Sequence, residues 1–289
     1  MSGPFQTVTF LSDYGTGDEF VGVVKSVVRS LAPHAVVVDL THEVAPFDVQ
    51  GASLVLARSV QYLAPGVVLA VVDPGVGTAR RAVAVEVGGG QSYLVGPDNG
   101  LLAAAVGVCG GATAAVELTD PRYRLEAPGA TFAGRDVFAP AAAHLCNGVP
   151  LSELGPALDV ATLLPGVIPL PRDEEGTIVA QVLWVDRFGN CQLNLGPEDV
   201  TALGSPLSVR WGDQARTAPI VAAYDDLAPG RVGLVVDSYG MLAVALARRS
   251  AAVELGLGTG TEVVLAPAED GAAAGPDPVA VTLSARRPA

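Results

Sequence analysis

Apolar residues in the first half of the chain follow two alternating spacings. Residues 7–12 form a short β-branched and apolar run that predicts a buried strand. Phe20, Val21, Val24, Val27, Val28 and Leu31 then recur at helical spacing, which predicts a helix over 18–31 with Asp18 placed to begin it. The same alternation predicts a strand over 35–38, a helix over 49–63 and a strand over 67–72. Strands over 82–87 and 93–95 and helices over 101–106 and 136–145 complete this half. Continuous apolar strands separated by helices predict an α/β domain built on a mostly parallel sheet covered on both faces.

The pattern changes at LPGVIPLPRDEEG, residues 164–176, whose prolines and acidic run read as a connection between domains. Beyond it come short strands without long helices between them, over 178–185, 207–211, 232–236, 262–265 and 279–283, with a loop over 271–277. That pattern predicts a smaller β-rich domain, a barrel. The expected division is an α/β domain over 1–165, a linker over 166–175 and a C-terminal β-barrel over 176–289. No repeat of fixed period is visible.

Composition narrows the partners. The 289 residues carry 17 Lys and Arg against 30 Asp and Glu, a net charge of −13. Such a surface lacks the clustered cations that nucleic acid or an anionic membrane requires. A mean hydropathy of +0.43 excludes intrinsic disorder. Cys109, Cys146 and Cys191 are widely spaced and form no CxxC pair, so neither a disulfide framework nor a structural zinc site is expected. The first residues lack a basic segment and meet Asp13 early, unlike a signal peptide. No apolar run approaches the ~18 residues of a membrane span. A soluble, cytoplasmic protein without metal or cofactor is expected.

Three predicted strands run directly into an aspartate: Asp13, Asp39 and Asp73. In open parallel sheets ligands bind beyond the carboxyl ends of the strands, so these carboxylates would gather along one edge. One such Asp is equally explained as the cap of the following turn; three, two of them followed closely by Gly15, Gly75 and Gly77, favour a site. Asp13 and Asp18 flank a glycine-containing turn, and carboxylates accept hydrogen bonds from a ribose diol or an ammonium group. Neither a Walker A nor a GxGxxG pattern is present, so a nucleoside suits the sequence better than ATP or NAD. In Asp73-Pro-Gly-Val-Gly-Thr-Ala-Arg80 a glycine-punctuated loop can return Arg80 to Asp73, keeping the carboxylate ionised and able to orient a water. A surface pair that merely pins the loop is the alternative. The Pro97–Gly100 stretch, the turns after Asp186 and Asp237, and Asp136 at a helix start each have an ordinary turn or cap reading as well. His144 reads as a packing residue, and His42 as a group supporting Asp39.

Together, FLSDYGTGDEFVG, VVDLTHEVAPFDV, VVDPGVGTARRAVAV, GPDNGLL, TFAGRDVFAPAAAHL, VDRFGN and DSYGMLAVA resemble, in order, the S-adenosyl-L-methionine hydrolase family. That family, the S-adenosyl-L-methionine hydroxide adenosyltransferases, is related to the fluorinases and chlorinases. The resemblance implies an N-terminal α/β domain, a C-terminal β-barrel and a homotrimer whose ligand lies between one subunit's first domain and a neighbour's second. It implies hydrolysis of S-adenosyl-L-methionine to adenosine and L-methionine, with Asp73 and Arg80 acting on the attacking water. Asp13 would bind the ribose hydroxyls, Asp18 the methionine portion, and Asp186 and Ser238 the methionine amine and carboxylate. Phe188 and Asn190 would form the aromatic wall and the adenine partner, and Asn99 joins the binding residues. The motif's third water-directing residue, a His, is replaced here by Ala133.

That departure bears on rate more than on ligand, since losing one positioned acid–base group costs about 10²–10⁴-fold. A catalytically silent S-adenosyl-L-methionine binder is the competing reading, and an unrelated nucleotide- or sugar-processing enzyme a third. The halogenases carry Tyr at the position of Asp73, and the fluorinases Thr at that of Val76. An anionic carboxylate at that point repels a halide.

Overall fold

The computed structural model describes residues 5–268. The chain divides into two compact units after Ile168. The predicted strand over 279–283 and the loop over 271–277 lie outside the described residues.

In the first unit the elements run β1 (Thr7–Ser12), α1 (Phe20–Leu31), β2 (Val36–Thr41), α2 (Val49–Ser59), β3 (Val67–Val71), β4 (Ala82–Val87) and β5 (Ser92–Pro97), followed by α3 (Ala103–Val108), β6 (Ala112–Glu117), α4 (Ala139–Cys146) and β7 (Ala157–Leu158). The strand order is β2-β1-β3-β5-β4-β6-β7. Four neighbours, β2, β1, β3 and β5, are parallel, whereas β4, β6 and β7 pair antiparallel. The sheet is therefore mixed, not mostly parallel. The reason lies in the connection from β3 to β4, a loop with no helix. A parallel return needs a crossover, usually helical, so a chain that only turns comes back antiparallel.

Two apolar layers cover the sheet. On one face Val24 and Val28 of α1 and the alanines of α4 pack on Val8, Phe10, Leu69 and Val71. On the other, Ala52 and Leu56 of α2 and Ala105 of α3 pack on Leu11, Val68, Ala70 and Val72. Helix α1 starts at Phe20 with Glu19 as a cap that makes no side-chain bond. Asp18 therefore precedes the helix and lies exposed. Helix α2 stops at Ser59 and tightens into a 3₁₀ turn over Val60–Tyr62.

The helix expected over 136–145 begins as a π-helical turn, Gly134–Phe138, before α4. Pro140 explains the wide turn, because it has no N–H to give the Asp136 carbonyl one turn back. That carbonyl accepts from the Leu125 N–H at 2.9 Å instead.

Close backbone approach fixes Gly96 in central β5. A Cβ there would stand 2.3 Å from the Ala70 carbonyl oxygen of β3. Gly96→Ala is expected to lower stability by about 1–3 kcal/mol, the usual cost of overpacking. Its thermal unfolding midpoint measures this, and an unchanged midpoint contradicts the packing described.

The second unit contains β8 (Arg172–Glu174), β9 (Thr177–Val185), β10 (Cys191–Leu193), β11 (Leu207–Trp211), β12 (Gln214–Ala218), β13 (Ile220–Val221), β14 (Val232–Val236), β15 (Leu242–Leu246), α5 (Ala251–Leu255) and β16 (Glu262–Pro267). They form one sheet in the order β12-β11-β16-β9-β10-β15-β14-β13, with β8 paired to β9. Strands β12 and β14 pack together, so the sheet is nearly closed into a barrel. Its interior holds Val182, Leu193, Val209, Leu234, Val244 and Leu265, all buried. Among the described residues, no helix is long and apolar enough to cross a membrane.

Candidate active site

The chain leaves β1 through α1 to β2 on one side, then returns through α2 to β3 on the other. Such a reversal between neighbouring parallel strands opens a crevice at their carboxyl ends, where ligands bind in open α/β sheets. Asp13 and Asp73 stand at that point, just beyond β1 and β3. Val71 packs with the α1–α4 layer and Val72 with the α2–α3 layer, so strand alternation returns Asp73 to the α1–α4 side.

The loop after Asp73 folds onto itself: the Val76 N–H bonds the Asp73 carbonyl at 3.2 Å, and the Thr78 hydroxyl donates to the Gly75 carbonyl at 2.7 Å. Gly77 adopts a φ of +79°, open to glycine. The return brings Arg80 to Asp73 in a two-pronged pair, Nε to Oδ1 at 3.0 Å and Nη2 to Oδ2 at 2.5 Å. Only 5% of the Asp73 side chain and 12% of the Arg80 side chain are exposed. Arg80 Nη1 also donates to the Arg81 carbonyl at 2.7 Å, and its guanidinium lies 5.4 Å from the centre of the Phe138 ring. Burial lifts the Asp73 carboxyl above its ordinary range; Arg80 and the Gly75 N–H pull it back, and neighbouring Asp13 adds to the rise. The predicted pair is present, but burial outweighs the arginine.

Asp13 accepts the Phe47 N–H at 2.9 Å, which fixes one carboxylate oxygen. Behind it a polar chain runs from Ser12 Oγ to His42 Nδ1 at 2.7 Å, from His42 Nε2 to Asp39 at 3.1 Å, and from Asp39 to Lys25 Nζ at 2.8 Å. Asp39 is thus inside edge strand β2, not at its end, because β2 continues to Thr41. Burial raises its carboxyl, but the bonds from Lys25 and His42 outweigh that and hold it low. His42 supports Asp39, and its carbonyl accepts the Gly15 N–H at 2.8 Å, tying down the loop that carries Asp13.

Asn99 spends its amide on the backbone, donating to the Val72 carbonyl at 2.9 Å and accepting from the Leu101 N–H at 3.2 Å. Asp98 beside it is a buried partner of Arg81, at 2.8 Å from Nε. Asp136 pairs with Arg135 at 2.5 and 2.9 Å. Ala133 is buried at the head of the π-helical turn, between Phe132 and Gly134.

In the second unit, Asp186 Oδ1 accepts the N–H groups of Phe188 and Asn190 at 2.8 and 2.9 Å. The Asn190 side-chain amide donates to Asp186 Oδ2 at 2.8 Å. Phe188 projects from this turn with 78% exposure. Phe188 and Asn190 line a cavity of about 470 Å³ with Tyr224, Leu246, Arg248, Arg249 and Ser250. Burial pushes the Tyr224 hydroxyl up, and Asp186 and Asp237 add to the shift. Ser238 is exposed on the separate Asp237 turn, where Asp237 accepts the N–H groups of Tyr239 and Met241 at 2.8 and 3.1 Å. Sequence reasoning missed Tyr224 and the two arginines, for AYDDL and LARRS carry no spacing that marks a pocket. Among the described residues, no group of three or more His, Cys, Asp or Glu is placed to hold a metal ion.

Sequence models of the SAM hydroxide adenosyltransferase N-terminal and C-terminal domains match residues 8–155 and 180–264. A protein of Salinispora tropica named (R)-S-adenosyl-L-methionine hydrolase is 45% identical over 89% of this chain and 96% of its own length. A protein of the same name from Thermus thermophilus is 43% identical over 89% of this chain and 98% of its own. The crystal structure of an uncharacterized conserved protein from Thermotoga maritima superposes with a TM-score of 0.82 at 33% identity, over 90% of this chain and 99% of that one. Both units of the fold, and the segments that carry Asp13, Asp73 and Arg80, fall within these matches. The chain belongs to the SAM hydroxide adenosyltransferase family.

Proposed function

We propose that this chain hydrolyses S-adenosyl-L-methionine to adenosine and L-methionine by in-line attack of water or hydroxide on the ribose C5′. The observation that carries this reading is the buried Asp73–Arg80 pair at the β1–β3 crevice beside Asp13. Asp73, oriented by the two-pronged guanidinium, accepts a hydrogen of the attacking water and aims its lone pair at C5′. The O–C5′ bond forms as the C5′–S bond breaks, and its electron pair stays on sulfur. Methionine leaves as a neutral thioether and needs no general acid. The water's proton passes to Asp73 and then to solvent. Because the sulfonium charge disappears in this step, a poorly solvated crevice favours it, and binding both ends of the substrate supplies the alignment.

Asp13 receives the ribose hydroxyls through the oxygen not committed to Phe47, and Asp18 lies toward the methionine. In the second unit Phe188 and Asn190 take the adenine in the cavity they share with Tyr224, while Asp186 and Ser238 hold the methionine amine and carboxylate. Asn99 acts through the backbone of the same sheet edge. The assembly we propose is a homotrimer in which neighbouring subunits complete each other's site, with its work done in the cytoplasm.

A chromatographed incubation with S-adenosyl-L-methionine, run with and without chloride, tests the reading. Adenosine and methionine in equal amounts are expected under both conditions, from a particle of three times the chain mass by sedimentation. Ligand retained without turnover points to a silent binder and to Ala133 as the defect. Chlorinated nucleoside as the main product overturns the choice of water, which rests on the negative charge of Asp73.

A further inference from the structure

Tyr14 follows Asp13 at the crevice, and its ring is held on three sides. It packs edge-on to Phe10 and Phe132, at 6.4 and 5.8 Å between centroids, and tilted against Phe20 at 5.6 Å. These contacts fix the direction of the hydroxyl, which reaches Gly134. A Cβ on Gly134 would stand 2.3 Å from the Tyr14 oxygen, so the glycine makes room for it. Gly134 opens the same π-helical turn whose last residue, Phe138, lies under the Arg80 guanidinium. The hydroxyl and the Asp73 clamp thus stand at the two ends of one helical turn. Ala133, at the head of that turn, offers no polar side-chain atom.

We propose that the Tyr14 hydroxyl is the second hydrogen-bonding partner of the attacking water, donating to its oxygen while Asp73 accepts one of its hydrogens. This rests on the hydrolase reading above. Among the described residues the hydroxyl makes no hydrogen bond, which leaves its proton free for a ligand in the crevice. Burial, Asp13 and Asp73 all push the Tyr14 hydroxyl well above the usual phenol range, so it stays a donor throughout the working pH range. It keeps its proton during the reaction. Two fixed partners, one acceptor and one donor, set the direction of a water that a carboxylate alone leaves free to turn.

The test is a set of three variants assayed for adenosine formation. Tyr14→Phe keeps the ring and removes the hydroxyl; kcat is expected to fall about 10²–10³-fold, as for loss of one positioned donor, with KM within about threefold. Gly134→Ala displaces the hydroxyl and lowers kcat similarly. The Tyr14→Phe/Gly134→Ala double variant is expected to lie within about threefold of Tyr14→Phe, because the oxygen at 2.3 Å is gone and only ring carbons at 3.2 and 3.3 Å remain for the new methyl to press. A Tyr14→Phe enzyme with wild-type kcat overturns the proposal, as does a rise in KM alone or a double variant whose losses multiply. Those results leave the hydrolase reading in place. A wild-type chain that forms no adenosine overturns that reading, and this proposal with it.

Discussion

Asp73→Asn is expected to reduce kcat by about 10²–10⁴-fold, the usual cost of a missing general base, with little change in the affinity for S-adenosyl-L-methionine. The substitution keeps the size of the side chain and removes its charge and its ability to take a proton. It also turns a two-pronged ion pair into a contact in which an amide N–H₂ faces the Arg80 fork. Because burial lifts the Asp73 carboxyl, wild-type kcat should rise with pH along a limb that lies above the ordinary carboxylate range. The variant should lose that limb. Adenosine release against pH for both proteins checks the point; an Asn enzyme with wild-type kcat removes Asp73 from the reaction.

The second large effect concerns Arg80, whose removal strands a buried charge. Arg80→Met is expected to destabilise the fold by about 3–5 kcal/mol at neutral pH, because taking one partner from a buried pair leaves the other uncompensated. The sign of its pH dependence follows from linkage. Without the guanidinium, Asp73 titrates still higher in the folded state than in the unfolded one, so the folded state binds the proton more tightly. Stability is then greatest below the unfolded carboxylate pKa, falls as pH rises toward the folded one, and stays low above it. The difference in unfolding midpoint between Arg80→Met and wild type should widen from pH 4 to pH 7.5. An equal difference at both pH values shows that Asp73 is not the stranded group.

Where the apolar spacing was strong, the sequence was legible. Helix α1 and strand β4 lie within two residues of their expected positions, because Val24 and Val28 or Val83 and Val85 leave no competing face to bury. Strand β6, ATAAVE, went unseen: its alanines have no spacing preference, and its pairing with β4 and β7 makes it a strand. The direction of β4 was written in the helix-free loop before it, but continuous apolar strands suggested parallel neighbours. Asp73 and Arg80 could be paired because one short loop carries both. The Tyr14 hydroxyl could not be placed, because what directs it is Gly134, 120 positions along the chain, and only the fold brings the two together. Nor could the commitment of Asn99 to the Val72 backbone be seen, since a turn sequence does not reveal which carbonyl its amide meets.

The helix-free passage from β3 to β4 has a consequence for how this scaffold can change. Its bonds run mostly within itself, through Gly75, Thr78 and Arg80, and it touches the α1–α4 layer through Val76 and through Arg80 over Phe138. On the proposed reading, rewriting that stretch alters which nucleophile is admitted, and it also disturbs the Val76 contact and the Arg80 clamp. Reaction choice and structural robustness thus meet in one buried ion pair, so new chemistry on this frame requires a replacement partner for Asp73.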